Sequence, residues 1–321
     1  MMNEFDVKKE ICEIGRRIYQ AGFVAANDGN ISVRMGNGHF LCTPTGVSKG
    51  FLKPADIAVV DTNGKQIGGD KPRTSEIMLH LEIFQELDWV NAVVHAHPPH
   101  ATAFAVAGVN VPSCILPEVE IFIGQVPLAD YDTPGSKDFA ETILPHLRNK
   151  ANTILLANHG AVACDSTLEQ AYFHMETLDM YCRILLLSKE IGSVQQLPDQ
   201  KVRELLDIKQ GMGIGDPRLD CTSGQCTLAG SDEFLRGFSQ RPIAQHAPDT
   251  NGHGRGYGIA GLESQCGQPQ PLPAGASINI PATVAGRSLT GGSSKTANDR
   301  AANDEIERMV QLITDQIIAG G

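Results

Sequence analysis

Apolar residues recur at two kinds of spacing along the first two thirds of the chain, and each spacing predicts a type of element. Steps of three and four residues predict amphipathic helices over 4–21, 101–107, 136–149 and 168–191. A further helix begins within 73–76, with Thr74 or Ser75 as its N-cap, and continues to 87. Short alternating or continuous apolar runs predict strands over 31–34, 39–43, 57–60, 65–67, 92–97, 126–129 and 153–157. This interleaving indicates an α/β fold with a mixed or antiparallel central sheet covered by helices.

The hydrophobic pattern changes after residue 215. Residues 216–298 are rich in glycine, serine and proline and hold few aromatic residues, which predicts a flexible linker. A helical pattern returns over 299–321, with one face formed by Ile306, Met309, Val310, Ile313 and Ile317. The chain therefore divides into a folded domain, 1–215, a linker, 216–298, and an amphipathic C-terminal helix, 299–321. A single short helix of this kind needs a partner surface to be stable.

Composition and charge narrow the possible partners and compartment. The net charge of −11 argues against nucleic acid or an anionic membrane surface as a partner. No apolar run is long enough to span a bilayer, and charges near the N-terminus argue against a signal peptide. The 8 cysteines include no C-x-x-C pair, which favours reduced thiols. We therefore expect a cytoplasmic protein that binds neither nucleic acid nor membrane.

The strongest chemical signal is the pair His95 and His97 at the end of the predicted strand 92–97. Side chains two residues apart on a strand point to the same face, so both imidazoles can approach one point. Pro98 and Pro99 then end the strand. Two imidazoles that converge at a strand end suit a divalent metal, although such a pair also occurs in ordinary apolar cores.

Other polar residues lie at the ends of predicted elements and extend this candidate site. His159 follows the apolar strand 153–157, and a set of three histidines leaves one coordination position open, as catalytic zinc requires. Glu76 is either a first-turn acid favoured by the helix dipole or a base beside the metal. The remaining residues are caps and turn residues that can also form an anion pocket: Asn30, Thr45, Gly46, Thr74 and Ser75.

Five short motifs occur together in a fixed order over residues 5–215: Gly29-Asn30, Thr43-Pro-Thr-Gly46, Thr74-Ser75-Glu76, His95-Ala-His97 and Asn158-His159-Gly160. In order and spacing they resemble the class II aldolase/adducin family, most closely its L-fuculose-1-phosphate aldolases. The resemblance implies an α/β/α sandwich with a mostly antiparallel central sheet, a homotetramer, and one Zn²⁺ per subunit. It also implies residue roles: His95, His97 and His159 bind the metal, Glu76 is the acid/base, and Asn30, Thr45, Gly46, Thr74 and Ser75 hold the substrate phosphate.

The same resemblance implies a reaction. It is zinc-dependent retro-aldol cleavage of fuculose 1-phosphate or rhamnulose 1-phosphate to dihydroxyacetone phosphate and lactaldehyde. Pentulose-phosphate 4-epimerases usually have Asp at the position of Glu76, whereas a methylthioribulose-phosphate dehydratase keeps Glu. Both stay alternatives, as does a non-catalytic adducin-like scaffold. The chain departs from the fuculose enzymes in residues 112–120, where a tyrosine that helps protonate the leaving aldehyde is missing. Glu118, Glu120 and Tyr131 are the candidates to replace it.

The C-terminal segment carries a resemblance of its own. A glycine-, serine- and proline-rich linker that ends in a short amphipathic helix resembles the encapsulation peptides of enzymes packaged in bacterial microcompartments. It implies that residues 299–321 bind a shell protein, and that the enzyme works inside such a compartment. Lactaldehyde is a volatile, reactive product of the kind that a shell retains. An oligomerisation helix and a disordered terminus are the alternatives.

Overall fold

An eight-stranded sheet is the centre of the described part of the chain, with strand order β4-β3-β2-β1-β5-β8-β7-β6. The computed structural model describes residues 3–36, 38–220 and Phe234. Neighbouring strands in this sheet are antiparallel except β6 and β7, which are parallel. The strands are β1 (Asn30–Arg34), β2 (Phe40–Cys42), β3 (Ala58–Val60), β4 (Gln66–Gly68), β5 (Ala92–Ala96), β6 (Leu128–Ala129), β7 (Thr153–Leu156) and β8 (Gly160–Asp165). The predicted, mostly antiparallel central sheet is confirmed.

Helices cover both faces of this sheet. They are α1 (Glu4–Gln20), α2 (Ile77–Glu86), α3 (Pro99–Ala107), α4 (Pro117–Phe122), α5 (Lys137–Glu141), α6 (Leu144–Arg148), α7 (Leu168–Ile191) and α8 (Asp199–Gly211). Alternate side chains of β5 serve the two layers: Val94 packs with α1, α3, α4 and α7, and Val93 packs with α2, α5 and α6. This is the predicted α/β/α sandwich. None of the described helices is long and apolar enough to cross a membrane.

Several element boundaries differ from the sequence-based expectation. The single helix predicted over 136–149 is two short helices, α5 and α6, because Pro145 has no backbone N–H and cannot continue a helix through the preceding turn. The N-cap of α2 is Glu76, so the prediction of Thr74 or Ser75 was wrong. The hydrophobic pattern did not predict α4, α8 or β8. The long helix predicted over 168–191 is confirmed as α7.

The first residues of the predicted linker belong to the folded core. Asp216 and Arg218 are buried, and Arg218 makes ion pairs with Asp216 at 2.9 Å and with Glu120 at 2.6 Å. Phe234 is fully buried, with its ring centroid 5.1 Å from that of Phe104. The rest of 216–298 and the C-terminal helix predicted over 299–321 lie outside the described residues, so the linker and the shell-binding segment stay predictions.

Candidate metal centre

Three histidine side chains meet where β5 and β8 come together. His95 is the fourth residue of β5, His97 follows that strand, and His159 precedes β8. The two strands are antiparallel neighbours with Ala96 opposite Ala161, which places His97 and His159 at the same end of the pair. One ligand atom from each imidazole lies within 4.8 Å of the other two. The structure thus brings together the three histidines that the sequence selected.

A glycine makes this close approach possible. A Cβ atom at Gly160 would lie 2.5 Å from the carbonyl oxygen of Ala96 and 2.6 Å from Cδ2 of His97. The preceding Asn158 has a positive φ of 55°, a left-handed conformation that asparagine tolerates better than most residues. The Asn158-His159-Gly160 motif is therefore a backbone requirement, since it turns the chain tightly enough for His159 to face His97.

Hydrogen bonding and burial prepare His95 and His97 to bind a metal. Nδ1 of His95 lies 2.9 Å from the carbonyl oxygen of Ala161 and donates to it, which leaves the lone pair on Nε2 free. Nε2 of His97 lies 3.3 Å from Nε2 of His95. Burial lowers the pKa of both imidazoles. Both rings are thus neutral at neutral pH, the state in which imidazole binds metal ions.

The carboxylate of Glu76 lies next to the histidine cluster. One carboxylate oxygen lies 3.0 Å from Nε2 of His159, and the other lies 3.4 Å from Nε2 of His95. Burial by itself would raise the pKa of Glu76, but its electrostatic interaction with His95 and hydrogen bonds from His159 and Asn30 lower it overall. Glu76 is therefore a carboxylate at neutral pH, placed beside His95 and His159, two of the three residues that could hold a metal ion.

A chain of buried hydrogen bonds fixes this carboxylate from behind. Nδ2 of Asn30 donates to Glu76 at 2.6 Å, so Oδ1 of Asn30 is free to accept from Nε2 of His80. Burial lowers the pKa of His80 to about 4, so its ring is neutral and Nδ1 accepts from the hydroxyl of Ser32. The donors of Ser32, His80 and Asn30 thus all point toward Glu76.

Sequence reasoning missed His80 and Ser32, although two spacings mark them. His80 is four residues after Glu76, which puts both on one side of α2. Ser32 is two residues after Asn30, on the same face of β1. Asn30 is also the direct cross-strand partner of His95. Asn30 was assigned to the substrate phosphate, and here both ends of its amide are engaged with Glu76 and His80.

We expect His80→Leu to lower kcat by roughly 10- to 100-fold, the usual effect of losing a partner that orients an active group. Leucine fills the space but leaves Asn30 free to rotate away from Glu76. His80→Gln keeps an N–H donor and is expected to recover part of the loss. Steady-state kinetics well below the melting temperature, together with metal content, test this. Equal kcat in His80→Leu and the unchanged protein would contradict it.

A cavity of about 170 Å³ opens beside the cluster. It is lined by His97, His159 and Glu76 together with residues of three other segments: Asn27, Asp28, Gly29, Asn30, Pro44, Thr45, Lys49, Thr74 and Ser75. Four of the five predicted phosphate-binding residues thus line it, while Gly46 does not. A larger cavity of about 870 Å³ lies beside Trp89 and Phe122, but it has none of the three histidines in its lining.

The three candidates for the missing tyrosine lie away from this cavity. Glu120 is fully buried and accepts hydrogen bonds from Arg218 and from the backbone N–H of Cys114. Tyr131 is 57% exposed, Glu118 is also exposed, and neither lines the cavity. Glu120 has a structural role that its place in the sequence did not reveal, because its partner Arg218 comes 98 residues later.

Comparison with known proteins agrees with this geometry. A 3-oxo-tetronate 4-phosphate decarboxylase from Cupriavidus necator is 34% identical over 217 residues, which cover 65% of this chain and 99% of the decarboxylase. An L-fuculose phosphate aldolase from Methanococcus maripaludis is 38% identical over 170 residues, 53% of this chain and 91% of that aldolase. The solved structure of an L-fuculose 1-phosphate aldolase is 28% identical, with a TM-score of 0.58, and the match covers 64% of this chain and 96% of that one.

A family profile covers the part of the chain that builds the site. The profile described as Class II Aldolase and Adducin N-terminal domain matches residues 9–186. This range includes the three histidines, Glu76 and every element of the central sheet. The chain therefore belongs to the class II aldolase and adducin family, as a metal-dependent aldolase of the lyase class.

Proposed function

We propose that this protein cleaves fuculose 1-phosphate or rhamnulose 1-phosphate to dihydroxyacetone phosphate and lactaldehyde, with Zn²⁺ as its metal. The observation that supports this best is the carboxylate of Glu76, held within 3.4 Å of two imidazoles that belong to a three-histidine cluster. Three imidazole nitrogen ligands with one open position are the ligand set of catalytic zinc. The ligand set thus supports both the metal and a reaction at a carbon beside a carbonyl group.

The chemical demand is a carbanion beside a ketone, which water stabilises poorly. His95, His97 and His159 would hold a divalent metal, which when bound would supply Lewis-acid stabilisation of the negative charge that develops on the substrate. Glu76 then has the position and the ionisation state to move the proton at the reacting carbon. Asn30, which is itself held by His80, keeps the carboxylate oriented toward that carbon.

The rim of the cavity suits the phosphate end of such a substrate. Thr45, Thr74 and Ser75 supply hydroxyl groups there, and Thr74 already accepts a hydrogen bond from the backbone N–H of Glu76 at 3.3 Å. Contacts to a phosphate remote from the reacting bond hold the ketone in place without taking part in the chemistry. These three residues are the phosphate-binding set that we propose, since the amide of Asn30 is engaged with Glu76 and His80 and Gly46 does not line the cavity.

A decarboxylase acting on 3-oxo-tetronate 4-phosphate is the second candidate, because the Cupriavidus necator relative carries that name and matches over 217 residues. Loss of CO₂ from this compound leaves dihydroxyacetone phosphate, the same fragment that cleavage of the ketohexose phosphate leaves. The two reactions differ only in the departing group. Departure of an aldehyde requires a nearby group that exchanges a proton with its hydroxyl oxygen. A carboxylate leaves as CO₂ and does not require such a group. The lack of a tyrosine in residues 112–120 therefore favours the decarboxylase as an alternative.

One assay separates the two. The zinc-loaded protein is incubated with fuculose 1-phosphate, rhamnulose 1-phosphate or 3-oxo-tetronate 4-phosphate, and the formation of dihydroxyacetone phosphate, lactaldehyde and CO₂ is followed. We expect dihydroxyacetone phosphate and lactaldehyde in equal amounts from one of the hexose phosphates, and no turnover after chelation. CO₂ from the tetronate alone would assign the second reaction. Turnover that survives complete removal of metal would contradict both.

A further inference from the structure

Lys49 is a buried lysine for which the proposed chemistry has no use. It is the first residue of the short 3₁₀ turn Lys49–Phe51, and its exposed fraction is 1%. Its ammonium group donates hydrogen bonds to the carbonyl oxygens of Asn27 and Val47, each at 2.8 Å. These carbonyls belong to the two loops that form the cavity beside the metal centre, so Lys49 lies at the meeting point of those loops.

The contacts of this ammonium group are incomplete. An ammonium has three N–H donors, and the two carbonyls leave one without an acceptor among the described residues. No carboxylate of the described chain forms an ion pair with Lys49. Burial of a lysine is costly and lowers the pKa of Lys49 to about 8, although the nearby carboxylates of Asp28 and Glu76 act to raise it. Below that pH most of the lysine is charged, in the lining of a cavity that can admit an anion.

The charge balance of the cavity points the same way. Asp28 and Glu76 both line it, and each contributes negative charge. The phosphate-binding residues proposed above are all neutral, so they can donate hydrogen bonds but cannot offset the charge of a phosphate that enters beside two carboxylates. Charge-assisted hydrogen bonds are roughly twice as strong as neutral ones. Lys49 is the buried cation in this lining.

We propose that Lys49 binds an oxyanion of the substrate in this cavity, as a specificity-determining residue. The chemical class is a phosphate or a carboxylate, and both occur in the compounds considered above. This inference rests on the proposed function for the identity of the substrate, but binding of the oxyanion itself is independent of turnover. Sequence reasoning did not select Lys49, because a lysine three residues after the Thr43-Pro-Thr-Gly46 loop resembles an ordinary surface residue.

The test measures binding of inorganic phosphate and of acetate to the zinc-loaded full-length protein by calorimetry. The variants are Lys49→Gln, which keeps N–H donors for the two carbonyls but removes the charge, and Lys49→Arg, which keeps the charge. Lys53→Gln is the control, because Lys53 is exposed and its substitution removes the same charge from the surface nearby. Zinc content and circular dichroism establish that each variant is folded and loaded.

We expect Lys49→Gln to lower the affinity for one of the two anions by roughly 10- to 100-fold. The affinity of Lys49→Arg should fall less, and that of Lys53→Gln should not change. Selective loss of phosphate assigns Lys49 to the phosphate end, and selective loss of acetate assigns it to a carboxylate. Equal affinity of the unchanged protein and Lys49→Gln for both anions overturns the proposal, as does an equal loss in Lys53→Gln. If Lys49→Gln fails to fold, Lys49→Met replaces it, and an undiminished affinity of Lys49→Met for both anions overturns the proposal. The proposal is also overturned if the unchanged protein binds neither anion. Because no turnover is measured, failure of the cleavage assay leaves these results interpretable.

Discussion

Replacement of Glu76 by glutamine is expected to lower kcat by about 10²- to 10⁴-fold, the range for loss of a general acid or base. Glutamine has nearly the same shape and can still accept the hydrogen bond from Asn30, but it cannot take up a proton. The low pKa of Glu76 means that the carboxylate is ionised throughout the neutral range, so the unchanged protein should lose this function only in acid. KM should change little, since the proposed phosphate-binding hydroxyls belong to Thr45, Thr74 and Ser75 and are retained.

The measurement is steady-state kinetics with whichever substrate is turned over, accompanied by metal analysis. Glu82→Gln is the matched control, because it lies on α2 as well but outside the cavity. A full complement of metal in Glu76→Gln identifies the residue as an acid/base, whereas a loss of metal identifies it as a ligand. If the activity of Glu76→Gln is within a few-fold of that of the unchanged protein, Glu76 has neither role.

The second large effect is expected from His159→Ala. The substitution removes one of the three imidazoles and also the hydrogen-bond donor 3.0 Å from Glu76. We expect less than one metal ion per subunit, and a fall in kcat beyond the roughly 100-fold that loss of an outer-sphere partner causes. His159 is the best of the three for this test. It lies in a turn and is partly exposed, whereas His95 is fully buried in β5 and its loss would also weaken the core.

Atomic absorption on the purified variant, together with kinetics at added zinc, provides the measurement. His146→Ala serves as the control, because this half-buried histidine belongs to α6 and is not part of the cluster. We expect it to keep both metal and activity. A His159→Ala protein that retained one metal ion per subunit would show that the three histidines are not the metal site.

The parts of the site that sequence reasoning found are those where local geometry is sufficient. His95 and His97 share a face because they are two residues apart, whatever the rest of the fold does. The α/β/α sandwich was implied by the family resemblance, and Val93 and Val94, which pack into opposite helical layers, agree with it. His159 was selected because it also follows an apolar strand, and the family motifs supported it, since no local rule relates residues that are 62 or more positions apart.

The parts that were missed depend on pairing between distant segments. Whether Asn30 contacts a phosphate or Glu76 is decided by the register of β1 against β5, which places it opposite His95. The burial of Lys49 depends on the loops of Asn27 and Val47 folding over it. The linker boundary was drawn at 216 from composition, which does not reveal that Arg218 meets Glu120 in the core. Such contacts are properties of the assembled fold.

The strand order also governs when the site can form during synthesis of the chain. β5 pairs with β1 on one side and with β8 on the other, and β8 is the last of the described strands to be made. Until residues 160–165 leave the ribosome, one edge of β5 has no partner, and an apolar strand with an open edge is prone to aggregate. His159 emerges immediately before that strand. Pairing of β8 with β5 therefore closes the sheet and completes the histidine cluster in one event. A nascent chain that can bind the metal has already paired the open edge of β5.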